Sequence, residues 1–405
     1  MAPRAPPLPL PLPRHPPAMM FEKASILPAW YDGLMEEVHA GEIIETLRSA
    51  PRVSAPGEDE VSIGVWKIAL QGCPLALELT ASLFTSCLRT STFPSAWKTS
   101  IIQPFVKDAL KERSMSNIRP ISLQSCLGKL FNKLLAHRLG AILARHPILN
   151  PAQRGFVVGG TTVKCIDELL DAWDWSRSGL HEQYTLFYDI KQAYDSVQSS
   201  ALLRSLRRIR LPQSFIDLID DSLTNLTSCV RTMYGLTDTF NVHRSLRQGD
   251  PLAPILFVIL MDALHDGLEV HPLTGQRHGC TLITSGESVY LPSLGYADDT
   301  AVIANSLPAL HAQNAWVEYF MHFNTVRLNA LKCELVGRGG DGCTTAATAI
   351  AAANICIDGH ALVPRLHSQP IRYLGVHTAF DGSWAVQQQK SREMILLFTR
   401  LISKF

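Results

Sequence analysis

The sequence of 405 residues predicts an α+β protein in which an antiparallel sheet is backed by helices. One observation is a set of short apolar runs of strand length, among them Thr185 to Asp189 and Thr300 to Ala304, that adjoin carboxylates. A second is a set of longer runs whose apolar residues recur with helical periodicity, such as Leu252 to Leu268. The third is a hydrophobic content of 46%, which in a chain of this length suffices to bury a large core.

These patterns place the strands and helices in order along the chain. Strands are predicted at Thr99 to Phe105, Thr185 to Asp189, Leu294 to Tyr296 and Thr300 to Ala304. Helices are predicted at Ala40 to Leu47, Leu75 to Leu88, Leu127 to Leu143, Leu202 to Leu211, Leu252 to Leu268, Leu307 to Thr325 and Val386 to Phe405. The dipeptide Asp358-Gly359 is a hairpin signal in the strands that lead to Tyr373.

Composition argues against several classes of protein. Eight of the first 17 residues are proline, which predicts an extended, disordered tail rather than a signal peptide. Nine cysteines without a Cys-x-x-Cys pair indicate reduced thiols and argue against a structural zinc site. No apolar run reaches the ~18–20 residues of a membrane span, so no membrane partner is expected. Because the net charge is only +1, nucleic-acid binding would depend on local basic patches such as Arg204 to Arg210.

Three carboxylates carry the strongest chemical signal. Asp298 and Asp299 follow a strand-like run in a predicted hairpin tip, and Asp189 ends an upstream strand. Alone, an Asp-Asp pair is more often a solvated turn, and a lone aspartate at a strand end is more often a cap. If the three come together, however, they could hold two Mg²⁺ ions roughly 3.5–4 Å apart, the arrangement that serves phosphoryl transfer. Nucleotidyl transfer is therefore the leading chemistry.

The order of the motifs resembles one family, the reverse transcriptases, and most closely those of non-LTR (LINE-type) retrotransposons. The blocks that carry the resemblance are Pro104 to Lys107, Ile118 to Leu123, Gln153 to Phe156, Asp189 to Asp195, Arg247 to Pro254, Tyr296 to Asp299, Asn329 to Glu334 and Arg372 to Val376. They cover roughly residues 60 to 390 of the 405. The resemblance implies a right-hand polymerase fold with fingers, a palm and only the start of a thumb.

The resemblance also implies how the chain is divided. Residues 1–60 are expected to be a disordered proline-rich tail and linker, and residues 61–184 the fingers. The palm is expected at 185–376 with a finger insertion near 198–242, and the start of a thumb at 377–405.

By resemblance, the motif residues take named roles. Two Mg²⁺ ions, with Mn²⁺ as an alternative, are expected at Asp189, Ile190, Asp298 and Asp299. The catalytic positions are Asp189, Asp298 and Asp299, together with Lys332 as the proton donor to pyrophosphate. The positions expected to bind substrates are Lys107, Arg119, Tyr194, Arg247, Gln248 and Gly249. Lys107 and Arg119 would bind the triphosphate, although each could instead be a surface cation. Tyr194 would exclude a ribose 2′-hydroxyl, although it could instead be a core tyrosine.

The Arg247 to Pro254 block has its own physical reading. Glycine at position 249 would let the backbone approach a ligand closely, and Pro251 suits the first turn of a following helix. Arg247 and Gln248 would then lie against the templating base pair, whereas Asp250 is expected to cap the helix.

The function implied is that of an RNA-directed DNA polymerase working on an RNA template, a DNA primer and dNTPs inside the cell. The resemblance favours the nucleus as its location, with the cytoplasm as the alternative. One alternative is a catalytically silent remnant that at most binds nucleic acid, because no complete thumb and no endonuclease module is apparent in the sequence. Such modules would then belong to a longer element. A second alternative, within the enzyme class, is a group II intron maturase.

Overall fold

The computed structural model describes residues 22–51, 54–107, 114, 117–243, 246–272, 274–284, 287–339 and 354–402. The chain divides into two compact units, each built from separate stretches of sequence. Among the described residues, the first unit is built from Asn150–Lys191 and the chain after Met261, and the second from the chain up to Leu149 and Gln192–Met261.

The described part of the chain contains both long helices and short strands. The helices are α1 (Ala40–Arg48), α2 (Ile63–Gly72), α3 (Pro74–Thr90), α4 (Cys126–Arg145), α5 (Thr162–Ser178), α6 (Ala193–Ser196), α7 (Ser199–Arg208), α8 (Gln213–Leu223), α9 (Ala253–Glu269), α10 (Leu307–Phe323) and α11 (Ala385–Ile402). The strands are β1 (Thr99–Val106), β2 (Ile118–Gln124), β3 (Gln183–Tyr188), β4 (Ile190–Lys191), β5 (Leu226–Thr232), β6 (Gly235–Leu236), β7 (Phe240–Val242), β8 (Cys280–Thr284), β9 (Glu287–Leu291), β10 (Ser293–Tyr296), β11 (Asp299–Ala304), β12 (Arg327–Leu328), β13 (Glu334–Arg338), β14 (Cys356–Ile357), β15 (His360–Ala361), β16 (Ile371–Tyr373) and β17 (Val376–Thr378).

The first unit is organised by a four-stranded sheet with the order β10-β11-β3-β13. All three pairings in it are antiparallel. Every residue of β3 is buried, as expected of a central strand covered on both faces. Apolar side chains of α5, including Trp173, pack with those of the sheet, including Phe187 and Leu294, in one core. The predicted α+β class with an antiparallel sheet backed by helices is confirmed.

The second unit has its own sheet and its own core. Its strands run in the order β2-β1-β5-β6, with β7 also paired to β5, and β1 lies antiparallel to β2 but parallel to β5. An aromatic cluster fills the space between α3, α4 and the chain that leads into β1. In this cluster the Phe131 ring centroid lies 5.0 Å from Phe84 and 5.8 Å from Trp97.

Local sequence signals explain where several elements begin and end. The Thr161 hydroxyl accepts a hydrogen bond from the Lys164 amide at the start of α5, and Ser306 caps α10 in the same way. The helix predicted at Leu202 to Leu211 ends earlier than expected, at Arg208. Arg210 has a φ of +57°, a left-handed conformation that stops the helix.

The N-terminal prediction needs one correction. Residues 1–21 lie outside the described residues, but residues 22 onward do not behave as a disordered linker. The side chains of Ile26, Leu34, Ile43 and Leu47 are fully buried. Their apolar burial stabilises a packed segment that includes α1, whereas residues 54–62 form no helix or strand.

The boundaries predicted for the fingers and the palm remain predictions. The insertion predicted near 198–242 groups with residues 61–149 in the second unit, while residues 150–184, predicted with the fingers, group with the sheet of the first unit.

Two further expectations from the sequence concern membrane-spanning helices and the oxidation state of the cysteines. No single described helix has the length and apolar character needed to cross a membrane, although α2 and α3, bent by 112°, pass the same test as a pair. Each cysteine within the described ranges is a free thiol, and Cys343 lies outside them.

Candidate active site

Strand pairing in the first unit brings the three carboxylates together. Tyr188, the last residue of β3, pairs with Thr300 of β11, so that the next residue on each strand, Asp189 and Asp299, lie across from one another. Cβ atoms of directly opposed residues are about 4.5–5.5 Å apart. Asp298 precedes Asp299 in the hairpin turn between β10 and β11. All three carboxylates therefore lie at the same end of the sheet.

The hairpin turn has an unusual backbone. Tyr296 pairs with Asp299, which leaves only Ala297 and Asp298 in the turn. Ala297 has a φ of +57°, a region that two-residue hairpins need and that non-glycine residues rarely adopt. Its amide donates to Gln153 Oε1 at 2.8 Å, and its carbonyl accepts from Gln153 Nε2 at 3.2 Å. Sequence reasoning gave Gln153 no role beyond membership of a motif.

Electrostatics mark this cluster as a site that favours a cation. The pKa of Asp299 is raised to about 6, mainly by loss of hydration and also by the neighbouring carboxylates of Asp298 and Asp189, whereas Arg372 lowers it. A bound divalent cation would relieve the repulsion among the three carboxylates.

The donor set fits a hard divalent cation. Carboxylate oxygens are the ligands that Mg²⁺ prefers, and in polymerase-type sites one or two of them act together with water and substrate phosphates. In the part of the chain that the structure describes, no group of three or more His, Cys, Asp or Glu side chains is arranged so that it could hold a metal ion by itself. The arrangement is consistent with a site that substrate phosphates complete. Ile190 could contribute only its backbone oxygen, because its side chain has no ligand atom.

Lys332 lies beside the first of these carboxylates. Its Nζ is 3.7 Å from Asp189 Oδ2, with both side chains partly exposed to solvent. Two backbone interactions hold its segment there, since the Asn329 amide donates to the Asp189 carbonyl at 2.8 Å and the Asp189 amide to Cys333 Sγ at 3.5 Å. A cation is thus placed next to the carboxylates by the loop that follows β12.

The second unit groups several of the predicted substrate-binding residues. The Tyr194 ring is half-buried and stacks on Phe257, with centroids 5.0 Å apart and planes inclined by 27°. Gln248 Nε2 donates to Asp195 Oδ2 at 3.2 Å. Burial raises the pKa of Asp195, and the charge of Lys107 lowers it, which places Lys107 near the same carboxylate. Asp195, to which the sequence analysis gave no role, is the shared partner of Gln248 and Lys107.

The turn before α9 shows a structural role for Arg247. Its side chain is buried, and Nη1 donates to the Trp97 carbonyl at 3.1 Å. Burial lowers its pKa, whereas Asp250 raises it. Asp250 accepts from the Leu252 amide at 2.9 Å in the turn before α9. Because α9 begins at Ala253, Asp250 lies two residues before the N-cap position at which it was expected. Burial of Arg247 favours support of this turn over direct contact with a templating base pair.

Gly249 and Arg119 differ in their surroundings. Gly249 has a φ of +106°, and a Cβ at this position would lie 3.2 Å from the Ser122 carbonyl oxygen, so the glycine is needed for the close approach of two backbone segments. Arg119 is exposed on β2, where it pairs across the sheet with Phe105. Its guanidinium is therefore accessible to an anionic ligand.

An antiparallel sheet with a strand-end aspartate opposite a two-aspartate hairpin defines the class of right-hand nucleotidyl polymerases. Residues 107–378 match the family model described as reverse transcriptase (RNA-dependent DNA polymerase). Because this match covers well over half of the chain, the protein belongs to the reverse transcriptase family. Enzymes of this family generally use divalent metal ions.

Curated relatives narrow the resemblance within the family. The chain is 31% identical over 252 residues to a retrovirus-related Pol polyprotein from the type-1 retrotransposable element R2 of Popillia japonica, covering 62% of this chain and 33% of that protein. It is 27% identical over 292 residues to a probable RNA-directed DNA polymerase from transposon BS of Drosophila melanogaster, covering 70% and 30%. It is 25% identical over 342 residues to the RNA-directed DNA polymerase from mobile element jockey of the same species, covering 83% and 34%.

These matches confirm the resemblance to non-LTR retrotransposon reverse transcriptases. The chain spans about a third of the length of these relatives. A solved telomerase from Candida tropicalis aligns with 84% of this chain and 52% of its own at a TM-score of 0.47 and 13% identity, a similarity too low to support a conclusion.

Proposed function

We propose that this chain is the polymerase core of a non-LTR retrotransposon, which extends a DNA primer with dNTPs on an RNA template. The observation that carries the proposal is the placement of Asp189 opposite Asp299, with Asp298 in the adjoining turn, in a member of the reverse transcriptase family. Two Mg²⁺ ions, or Mn²⁺ in their place, would be held by these carboxylates and Ile190, and would supply charge neutralisation at the attacking and leaving oxygens.

The remaining residues act on substrate and protons. In the reaction, the primer 3′-oxygen forms a bond to the α-phosphorus while the bond from that phosphorus to the leaving pyrophosphate breaks. Lys332 would give the proton on Nζ to the pyrophosphate, and its place beside Asp189 supports this role. Lys107 and Arg119 would bind the phosphates of the incoming nucleotide.

Selection of the sugar and of the template belongs to the second unit in this proposal. Tyr194 would exclude a 2′-hydroxyl, and stacking on Phe257 gives its ring the support that a steric filter needs. Gln248, held by Asp195, would contact the template together with the backbone of Gly249, with Arg247 supporting the turn behind them. We further propose a nuclear site of action, on the strength of the family resemblance.

The proposal is tested by extension of a labelled DNA primer annealed to RNA, with Mg²⁺ and all four dNTPs. Asp298→Asn should reduce the rate on the order of 10³-fold or more, because charge stabilisation by a bound metal is worth several kcal/mol. Asp171→Asn, a change at an exposed position of α5 in the same unit, serves as the matched control and should leave extension unchanged.

Circular dichroism establishes that both variants are folded. Equal extension by both variants would contradict the assignment of the carboxylates. Failure of the folded wild-type chain to extend any primer would favour the silent remnant that at most binds nucleic acid.

A further inference from the structure

The carboxylate hairpin depends on a conformation that its own sequence does not favour. Ala297 holds a φ of +57° at the position directly before Asp298. An L-residue in this region costs about 1–2 kcal/mol, so surrounding contacts must maintain it. In addition, Asp298 and Asp299 lie near Asp189, and repulsion among the three charges tends to push the turn away from β3.

Gln153 supplies contacts that oppose both tendencies. Its side chain is buried, and its amide makes three hydrogen bonds. Oε1 accepts from the amides of Ala297 at 2.8 Å and Gly155 at 2.9 Å, while Nε2 donates to the Ala297 carbonyl at 3.2 Å. Both backbone polar groups of the left-handed residue are therefore held by one side chain. The amide plane of a glutamine can satisfy a donor and an acceptor at the same time.

The backbone around Gln153 holds its side chain next to the turn. Gln153 forms a parallel bridge with Gly295 of β10, in which the Gly295 amide donates to the Ala152 carbonyl at 2.9 Å and the Arg154 amide to the Gly295 carbonyl at 2.8 Å. A Cβ on Gly155 would lie 2.3 Å from the Ala297 nitrogen, so the chain passes directly against the turn. Residues 152–155 thus lie alongside β10, joined to it by this single bridge, and hold the Gln153 backbone next to the turn.

We propose that Gln153 is a positioning residue for metal binding: by fixing the Ala297 turn, its amide keeps Asp298 and Asp299 in register with Asp189, ready to receive a divalent cation. This inference rests on the proposed function, because it assigns a purpose to the same carboxylates. Gln153 touches neither substrate nor metal and acts only through the turn.

The test compares two buried glutamines of the first unit. Gln153→Met keeps the side-chain volume and removes all three hydrogen bonds, while Gln153→Glu keeps the two acceptor interactions and loses the donor. Gln313→Met is the matched control. Gln313 is equally buried, and its Nε2 donates to the carbonyls of Pro292 at 3.2 Å and Ile303 at 3.5 Å, at the opposite end of the β10–β11 pair.

Two measurements are made on the full chain. Titration calorimetry with Mn²⁺ and without nucleotide gives metal affinity, and hydrogen exchange gives the protection of the Ala297 and Gly155 amides. We expect Gln153→Met to weaken Mn²⁺ binding at least tenfold and to speed exchange of the two amides by a similar factor. Gln153→Glu should fall between Gln153→Met and the wild type, and Gln313→Met should change neither quantity even if it lowers the melting temperature.

The outcomes separate this inference from the proposed function. If Gln153→Met binds Mn²⁺ with wild-type affinity, the inference is overturned, even if exchange at Ala297 becomes faster. The hydrogen bonds of Gln153 would then not be needed to position the carboxylates that bind the metal. If Gln153→Met does not fold, an affinity of Gln153→Glu equal to that of the wild type overturns it. If the wild type binds no Mn²⁺ and extends no primer, the proposed function fails and the positioning role fails with it. Unchanged exchange at Ala297 in Gln153→Met would show separately that the turn does not need Gln153.

Discussion

Tyr194 is the residue whose replacement should change substrate choice most directly. Its ring stacks on Phe257. We propose that this ring excludes a 2′-hydroxyl, so removing it should open space for a ribose. We expect Tyr194→Ala to raise ribonucleotide incorporation relative to deoxynucleotides by at least roughly tenfold, or about 1.4 kcal/mol of discrimination. Single-nucleotide incorporation with matched rNTP and dNTP pairs measures the ratio. Tyr194→Phe keeps the ring and should retain discrimination, whereas an unchanged ratio in Tyr194→Ala would assign the ring to core packing.

A second residue, His265, should make the stability of the protein sensitive to acid. It is fully buried in α9, Nδ1 is 3.0 Å from Ser293 Oγ, and burial lowers its pKa to about 4 despite the carboxylates of Asp262 and Asp266. Between pH 6.5 and 4 the unfolded chain binds a proton at this histidine and the folded chain does not. The free energy of unfolding therefore falls as the pH falls, by about 3 kcal/mol across this window.

Urea unfolding at pH 7, 5.5 and 4.5 checks this dependence. His265→Asn can still bond to Ser293 but has no titrating group. It should be less stable than the wild type at pH 7 because of lost packing, and the difference should narrow towards pH 4.5. If the difference in free energy of unfolding between the two proteins is the same at all three pH values, the pH dependence does not come from His265.

Single-residue roles differ in how far the sequence reveals them. Asp189, Asp298 and Asp299 stand out because each adjoins an apolar strand, and the pairing of β3 with β11 then brings them together. Gln153 does not stand out, because its partner Ala297 is 144 positions away in sequence. No local pattern encodes a contact of that range, and a buried glutamine resembles any other polar residue in a loop.

At the scale of elements, the turn between Leu246 and α9 should tolerate no side chain at Gly249. Its φ of +106° is unfavourable for any L-residue, and the new Cβ would press on the Ser122 carbonyl. We expect Gly249→Ala to lower the free energy of unfolding by roughly 1–3 kcal/mol. Gly41→Ala is the control, since Gly41 lies in α1 with open space around it and should be neutral or slightly stabilising. Chemical denaturation compares the two variants with the wild type. Equal denaturation midpoints for Gly249→Ala and Gly41→Ala would contradict the argument that a side chain at position 249 is strained.

Elements whose own sequence encodes their geometry were predicted well. Asp358 and Gly359 have φ values of +48° and +76°, as a tight hairpin turn requires, and they join β14 to β15. Strands β5 to β9 escaped prediction. β6 and β7 are only two and three residues long, too short to show an alternating pattern, and pairing with other strands decides the conformation of such segments.

At the scale of the whole molecule, the sequence revealed the family but not the way the chain is divided. Motif order is a one-dimensional property and can be read directly. The grouping of residues 150–191 with residues after 261 depends on long-range strand pairing, which composition does not reveal. The helix at Ala40 to Leu47 was predicted, but the packing of the segment around it was missed, because this segment lies between a proline-rich start and a Pro/Gly linker and its long-range contacts leave no local pattern.

The discontinuous sheet of the first unit has a consequence for synthesis on the ribosome. β3 emerges first, yet its two neighbours, β11 and β13, end at residues 304 and 338, the latter 150 positions after Tyr188. At translation rates of ~5–20 residues per second, both edges of β3 stay unpaired for roughly 6–23 s, until β11 is complete, and one edge stays unpaired for roughly 8–30 s, until β13 is complete. Such a strand is a template for aggregation, so nascent chains should need a chaperone in this interval. Ribosome-bound chains halted after residue 261 should resist protease within the second unit and be cut within residues 150–191, and protection of both would exclude this folding order.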